Sequence, residues 1–159
     1  MSSSLNIREI PAGPERRRLI PLLHLAEDSD SQLEAAIDDG VMYAVVADDG
    51  EHVGVVLALP HAPGEVELRY VAVAASHQRK GIGKAMLALV TDASRATGAK
   101  RILVGTSSAD TGNLDFYQRC GFRLQSIERD YFSPARGYPP DFVLNGLPAV
   151  DMVWMDMQL

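Results

Sequence analysis

The segment Gln78-Arg79-Lys80-Gly81-Ile82-Gly83-Lys84 carries residue types that hold an anion. Gly81 and Gly83 permit a tight turn and leave successive backbone N–H groups uncovered by side chains. Arg79, Lys80 and Lys84 add formal positive charge at the same place. If a helix begins there, its unpaired N–H groups and its dipole face the ligand, and phosphate is the natural occupant. The flanks supply that setting. Upstream, Val66 to Ala74 alternates as a strand, with Leu68, Tyr70 and Ala72 on one face and Glu67, Arg69, Val71 and Val73 on the other. Downstream, Ile82, Ala85, Met86, Leu89, Val90 and Ala93 recur at helical spacing, and Gly98 supplies a stop.

Two nucleotide-binding loops fail to fit this segment. A Walker loop needs glycine where Gln78 stands and a hydroxyl residue where Ala85 stands. A dinucleotide fingerprint needs a small residue at Met86. The remaining pattern is Gln/Arg-x-x-Gly-x-Gly/Ala, and through it the segment closely resembles the acyl-coenzyme A pyrophosphate loop of the GNAT acetyltransferase superfamily.

Composition bounds the reading. A chain of 159 residues with 47% hydrophobic content suits a single domain, residues 1–159, with Met1-Ser2-Ser3-Ser4 as a disordered lead-in. The net charge of -6 argues against a nucleic-acid surface and favours the approach of a cationic or amine substrate. The single cysteine cannot form an internal disulfide, and no apolar signal segment or membrane-length run is visible, so a cytoplasmic setting is expected. His24, His52, His61 and His77 lack metal-ligand spacing, so no metal is expected.

Along the chain, short connections join alternating strands and helices, an α/β or α+β arrangement of helices on a sheet. Strands are expected at 5–10, 41–47, 53–59, 66–74, 100–105, 122–131 and 150–157, with 41–59 forming a hairpin. Helices are expected at 14–26, broken or kinked at Pro21, at 31–39, from Ile82, and at 110–120 with Asp110 as N-cap and Gly121 as the stop. Residues 133–149, dense in Pro, Gly and aromatic residues, read as a long loop.

This order is the one the GNAT resemblance implies, and the match is strongest from Glu65 to Phe122. The resemblance implies a mixed, mostly antiparallel sheet of about six or seven strands with a splayed central pair and about four flanking helices. It further implies that the strand ending at Val73 parts from the strand at 100–105, so that backbone groups of Val71, Ala72 and Val73 pair with the pantetheine arm of acetyl-CoA. Tyr117, within Phe116-Tyr117-Gln118-Arg119-Cys120-Gly121-Phe122, matches the family tyrosine that protonates the departing thiolate, a task suited to a phenol that is protonated at neutral pH. The family asparagine seven residues before this tyrosine is replaced by Asp110, leaving Asn113 to reach the cofactor from one turn later.

Transfer to an amine requires a neutral nitrogen, and Glu67, fourteen residues before Gly81, matches family members that use a glutamate base. Tyr131, Tyr138 and Asp141 are candidates for an acidic, aromatic-lined acceptor pocket. Cys120 reads as a small buried hydrophobe, since direct transfer needs no acyl-enzyme. The implied activity is N-acetylation of a primary amine with acetyl-CoA, a small amine being favoured over a protein lysine or N-terminus. A non-catalytic acyl-coenzyme A sensor would share the same loop. A homodimer formed by pairing C-terminal strands is common in this fold.

Overall fold

The computed structural model describes residues 5–159, so the lead-in expected at Met1 to Ser4 lies outside the described residues. The chain runs β1 (Asn6–Ile10), α1 (Pro14–Arg17), α2 (Ile20–Leu23), α3 (Asp30–Ala36), β2 (Val41–Val46), β3 (His52–Pro60) and β4 (Glu65–Val73). It continues with α4 (Ile82–Ala96), β5 (Arg101–Ser107), α5 (Thr111–Arg119), β6 (Arg123–Glu128), β7 (Val143–Leu144), β8 (Leu147–Pro148) and β9 (Met152–Gln158). Pro21 divides the first helical segment: α1 and α2 are four residues each, and each carries proline in its first turn, where the missing N–H costs no bond. The loop expected at 133–149 contains the two-stranded ribbon β7-β8.

Seven strands form one sheet in the order β1-β2-β3-β4-β5-β9-β6. Only β4 and β5 run parallel; the other neighbours are antiparallel. One apolar layer packs α4 and α5 on the sheet through Leu68, Met86, Val90, Ile102, Tyr117 and Met155. The opposite layer packs α1 to α3 through Leu19, Leu23, Leu33, Ile37, Leu57 and Tyr70. Met86 is fully buried, worth about 1.5–3 kcal/mol for such a side chain. Buried Arg16 ties the second layer together: its guanidinium donates to the carbonyls of Ile10, Ile37, Asp39 and Gly40 at 2.8–3.1 Å.

One sequence expectation fails in β4. Leu57 pairs with Tyr70 and Ala58 with Leu68, so Arg69 is an extra residue facing no partner on β3. This bulge resets the alternation of side chains. Leu68, Val71 and Val73 therefore pack toward α4, while Tyr70 and Ala72 pack toward α2 and α3. Leu68 does not share a face with Tyr70 and Ala72, as uninterrupted alternation would require.

The same point is where the sheet divides. Residues 65–68 of β4 pair with residues 101–104 of β5, and the pairing stops there. Beyond it, β5 keeps only β9 as a neighbour and β4 keeps only β3. The gap between the two strands is the splay that the family resemblance implies.

Candidate active site

The outer half of this gap is a groove of about 600 Å³ bounded by β4, α4 and α5. At its mouth the chain leaves β4, makes one 3₁₀ turn at Ala75–His77 and enters α4 at Gly81. Gly81 has φ 79, the left-handed region that favours glycine, and no side chain caps the helix. The first-turn N–H groups of this fifteen-residue helix are consequently open to the groove. Arg79 adopts φ 62 although it carries a Cβ, a conformation that costs about 1–2 kcal/mol. Gly83 lies against α5: an added Cβ would stand 3.0 Å from Cζ of Phe116.

Gln78, Arg79, Gly81, Ile82, Gly83 and Lys84 all line this groove, together with Val71, Ala72 and Val73. Lys80 is exposed beside it and does not line it. The Ala74 N–H donates to Val53 O, so alternation turns the polar backbone groups of Val71 and Val73 away from β3, toward the gap. Those of Ala72 are turned to β3. Gln78 Nε2 donates to Val73 O at 3.0 Å, joining the phosphate-type loop to the end of the strand.

At the inner end of the groove, α5 brings Asn113 and Tyr117 between two cavities. Asp110 caps the helix as its position suggests, accepting from the Asn113 N–H at 3.0 Å. Asn113 Nδ2 reaches Thr106 Oγ1 of β5 at 3.4 Å. Tyr117 is 4% exposed and packed edge-on against Phe122, and its hydroxyl has no hydrogen-bond partner among the described residues. Burial, with a contribution from Asp110, pushes its phenol pKa well above the ordinary range, so it is protonated at neutral pH. Burial also raises the Cys120 thiol, which disfavours the thiolate a nucleophile would need.

Behind Asn113 and Tyr117 lies a smaller cavity of about 120 Å³, and both residues line it as well as the groove. Its walls come from the turn after α2, the bulge in β4, the end of β5 and the segment before β7. Tyr131 and Tyr138 line it, whereas Asp141 is exposed and does not. Arg136 stacks over the Tyr131 ring at 4.1 Å. Glu67 is buried and accepts from Arg69 Nε at 2.5 Å; Arg69, not Glu67, faces the cavity.

The carboxylate that does line the cavity is Glu27, which is 8% exposed. Tyr138 donates to it at 2.7 Å, Tyr70 at 3.3 Å and the Ser29 N–H at 3.3 Å. Burial raises its pKa, an effect that these three donors oppose. Sequence inspection misses Glu27 because its partners are 43 and 111 residues away. The only local signal is an acidic residue two positions before the α3 N-cap, Ser29. Among the described residues no group of three His, Cys, Asp or Glu is placed to hold a metal ion, and no helix is long and apolar enough to cross a membrane.

A split parallel strand pair that leads from an uncapped helix N-terminus to a buried phenol is the geometry of an acyltransferase working on a phosphorylated thioester. The sequence profile of the Acetyltransferase (GNAT) family matches residues 9–122, and the chain belongs to this family. It is 36% identical over 141 residues, 89% of each chain, to the uncharacterised N-acetyltransferase YvbK of Bacillus subtilis. Among solved structures, an IAA acetyltransferase from Bacillus cereus is 33% identical with a TM-score of 0.87, covering 98% of this chain and 100% of that one. A Bacillus subtilis acetyltransferase in complex with CoA is also 33% identical, with a TM-score of 0.86 over 98% of this chain and 99% of its own. A GNAT acetyltransferase from Elizabethkingia anophelis, solved with acetyl-CoA bound, is 28% identical with a TM-score of 0.89, covering 99% of this chain and 100% of that one. The protein is an acetyl-CoA-dependent acetyltransferase.

Proposed function

We propose that the protein acetylates a small primary amine by direct attack of its nitrogen on acetyl-CoA, with residues 5–159 acting as one catalytic domain in the cytoplasm. The observation that carries this reading is the junction at Tyr117, where a cavity of about 120 Å³ meets the donor groove. That volume accommodates a slender amine and leaves little room for a folded polypeptide surface. In this reading the α4 N-terminus, with Gln78, Arg79 and Lys84, holds the pyrophosphate, and Val71 and Val73 pair with the pantetheine amides. Asn113 orients the arm from α5. Tyr117 delivers its proton to the leaving thiolate, and the nitrogen's second proton restores the phenol as the amide forms.

The test is a thiol-release screen of alkylamines, polyamines, aminoglycosides, amino acids, and peptides with free lysine or N-terminal amines. The expected result is turnover concentrated among small amines. Preference for peptides would establish a protein-modifying enzyme, and donor binding without transfer to any amine would refute the reading. We also propose a homodimer formed along the sheet edge. Its support is that β6 is an edge strand, with Leu124 62% and Ile127 66% exposed. Light scattering that finds a monomer at micromolar concentration would count against it.

A further inference from the structure

Glu27 is a buried acid without a counter-ion. It occupies the turn between α2 and α3, lines the acceptor cavity, and makes no ion pair among the described residues. Its partners, the hydroxyls of Tyr70 and Tyr138 and the Ser29 N–H, are all neutral donors. Arg69, which lines the same cavity, is committed to Glu67. An ionised carboxylate removed from water at more than nine-tenths burial is costly until a cation joins it. The cavity offers the place for that cation.

We infer that Glu27 is the acceptor-binding carboxylate: it receives the ammonium end of a small cationic amine and takes up one of its protons, an assignment that rests on the amine acetylation proposed above. The proton leaves nitrogen for a Glu27 oxygen, and the freed lone pair forms the bond to the thioester carbon. The C–S bond then breaks as the carbonyl re-forms, the thiolate takes the Tyr117 proton, and the phenolate is refilled by the second proton lost from nitrogen. Glu27 returns its proton to solvent. The sum is ammonium plus acetyl-CoA giving N-acetylamine, CoA thiol and one proton.

Two further features agree with this role. Burial lifts the Glu27 carboxyl above the ordinary carboxylate range, which makes it a better proton acceptor than a surface acid. The groups around it are Asp28 and His24 on its own segment, Arg69 and Tyr70 on β4, Asp110 at the start of α5, and Tyr131 and Tyr138 from the segment after β6. Arg69 is paired with Glu67, and the three tyrosines all have raised pKa values with burial as the first cause, so none of these groups supplies a free cation that would compete with the amine, while Asp28 and Asp110 add acidic groups to the cavity wall. The cavity consequently selects a cationic amine over an amino acid, whose carboxylate would bring a further anion beside these acids.

The experiment compares the full chain with Glu27→Gln and Tyr138→Phe, using propylamine as probe and acetyl-CoA as donor. In Glu27→Gln, kcat/KM for propylamine should fall about 100-fold or more while CoA affinity is retained, and the limb set by Glu27 should give way to one that follows deprotonation of the amine itself, near the ordinary alkylammonium pKa of about 10. Tyr138→Phe removes a bond that favours the ionised acid, so the limb should survive and move to higher pH. An unaltered limb in both variants overturns the assignment even when turnover is lost, because a merely structural Glu27 would not govern it. If propylamine is bound but not turned over, calorimetry on the CoA-loaded protein decides: propylammonium should bind in preference to 1-propanol, and Glu27→Gln should abolish the preference. Equal binding of the two probes overturns the Glu27 assignment, whereas absence of thiol release across the whole amine panel overturns the acetylation proposal alone.

Discussion

The groove and the cavity behind it, proposed above to hold donor and acceptor, meet at Tyr117, yet they are constructed in opposite ways. The groove takes its polarity from backbone: the N–H groups of the α4 first turn and the outward-facing groups of Val71 and Val73, all within one strand-loop-helix unit. The cavity takes its polarity from side chains brought together over long distances, Glu27 with Tyr70 and Tyr138 above all. A backbone site tolerates change in side chains so long as the chain path is kept. A side-chain site can be retargeted by single substitutions, so a common donor half can serve different acceptor halves.

Variants at the junction give the largest expected effect. Tyr117→Phe should lower kcat by about 10²–10⁴ while leaving the Kd for CoA unchanged, measured by steady-state kinetics and calorimetry. Retained kcat would reduce Tyr117 to a packing residue shared by the two regions. A smaller effect separates them. Gly83→Val pushes a branched side chain toward Phe116, and an overpacking cost of about 1–3 kcal/mol should raise KM for acetyl-CoA roughly 10–100-fold. The acid limb of the amine profile should stay where it was; a displaced limb would mean that the two regions are coupled through α5.

Glu67→Gln tests whether the acid of β4 belongs to the chemistry or to the wall of the cavity. Removing the charge leaves Arg69 without its partner, and stability should fall by about 1–3 kcal/mol in denaturant unfolding, with the acid limb preserved. Loss of that limb would return the base role to Glu67. The subtlest difference is in the pH dependence of stability. The folded pKa of Glu27 is raised, so between the ordinary carboxylate pKa and that higher value the native state binds more protons than the unfolded chain. Stability therefore drains away as pH rises through this window, and Glu27→Gln should melt above the wild type at about pH 8 and show no such advantage at about pH 4. Identical trends at both pH values would mean that Glu27 is not the strained acid of the acceptor half.

The asymmetry between the regions also explains what the sequence makes legible. Residues 78–84 and the α4 stripe are local: turn chemistry, charge and helical period lie within twenty residues of chain, and they identify the donor. Ile82, Met86 and Val90 are buried as the period requires, but Leu87, Thr91 and Ser94 are buried too while Ala85, Leu89 and Ala93 are only half-buried, so the packed face is turned to one side of the stripe that residue types suggest. The bulge at Arg69 is invisible to inspection. Alternation of residue types continues through it, and only the register against β3 reveals the extra residue. Glu27 is hidden for a related reason. Nothing near it in sequence reports that Tyr138 will fold over it, and an acid flanked by Asp28 and Asp30 looks like part of a solvated turn.

With the donor placed as proposed, the parting of β4 from β5 makes a built-in reporter of occupancy. The amides of Val71 and Val73 face a gap where a central sheet would normally lock them, so they should exchange with deuterium rapidly in the free protein. Donor binding would complete the interrupted ladder and slow them, while the amide of Ala72, turned to β3, would remain protected throughout. Alternating protection along three consecutive residues would then register thioester loading in a chain whose chemistry had been switched off.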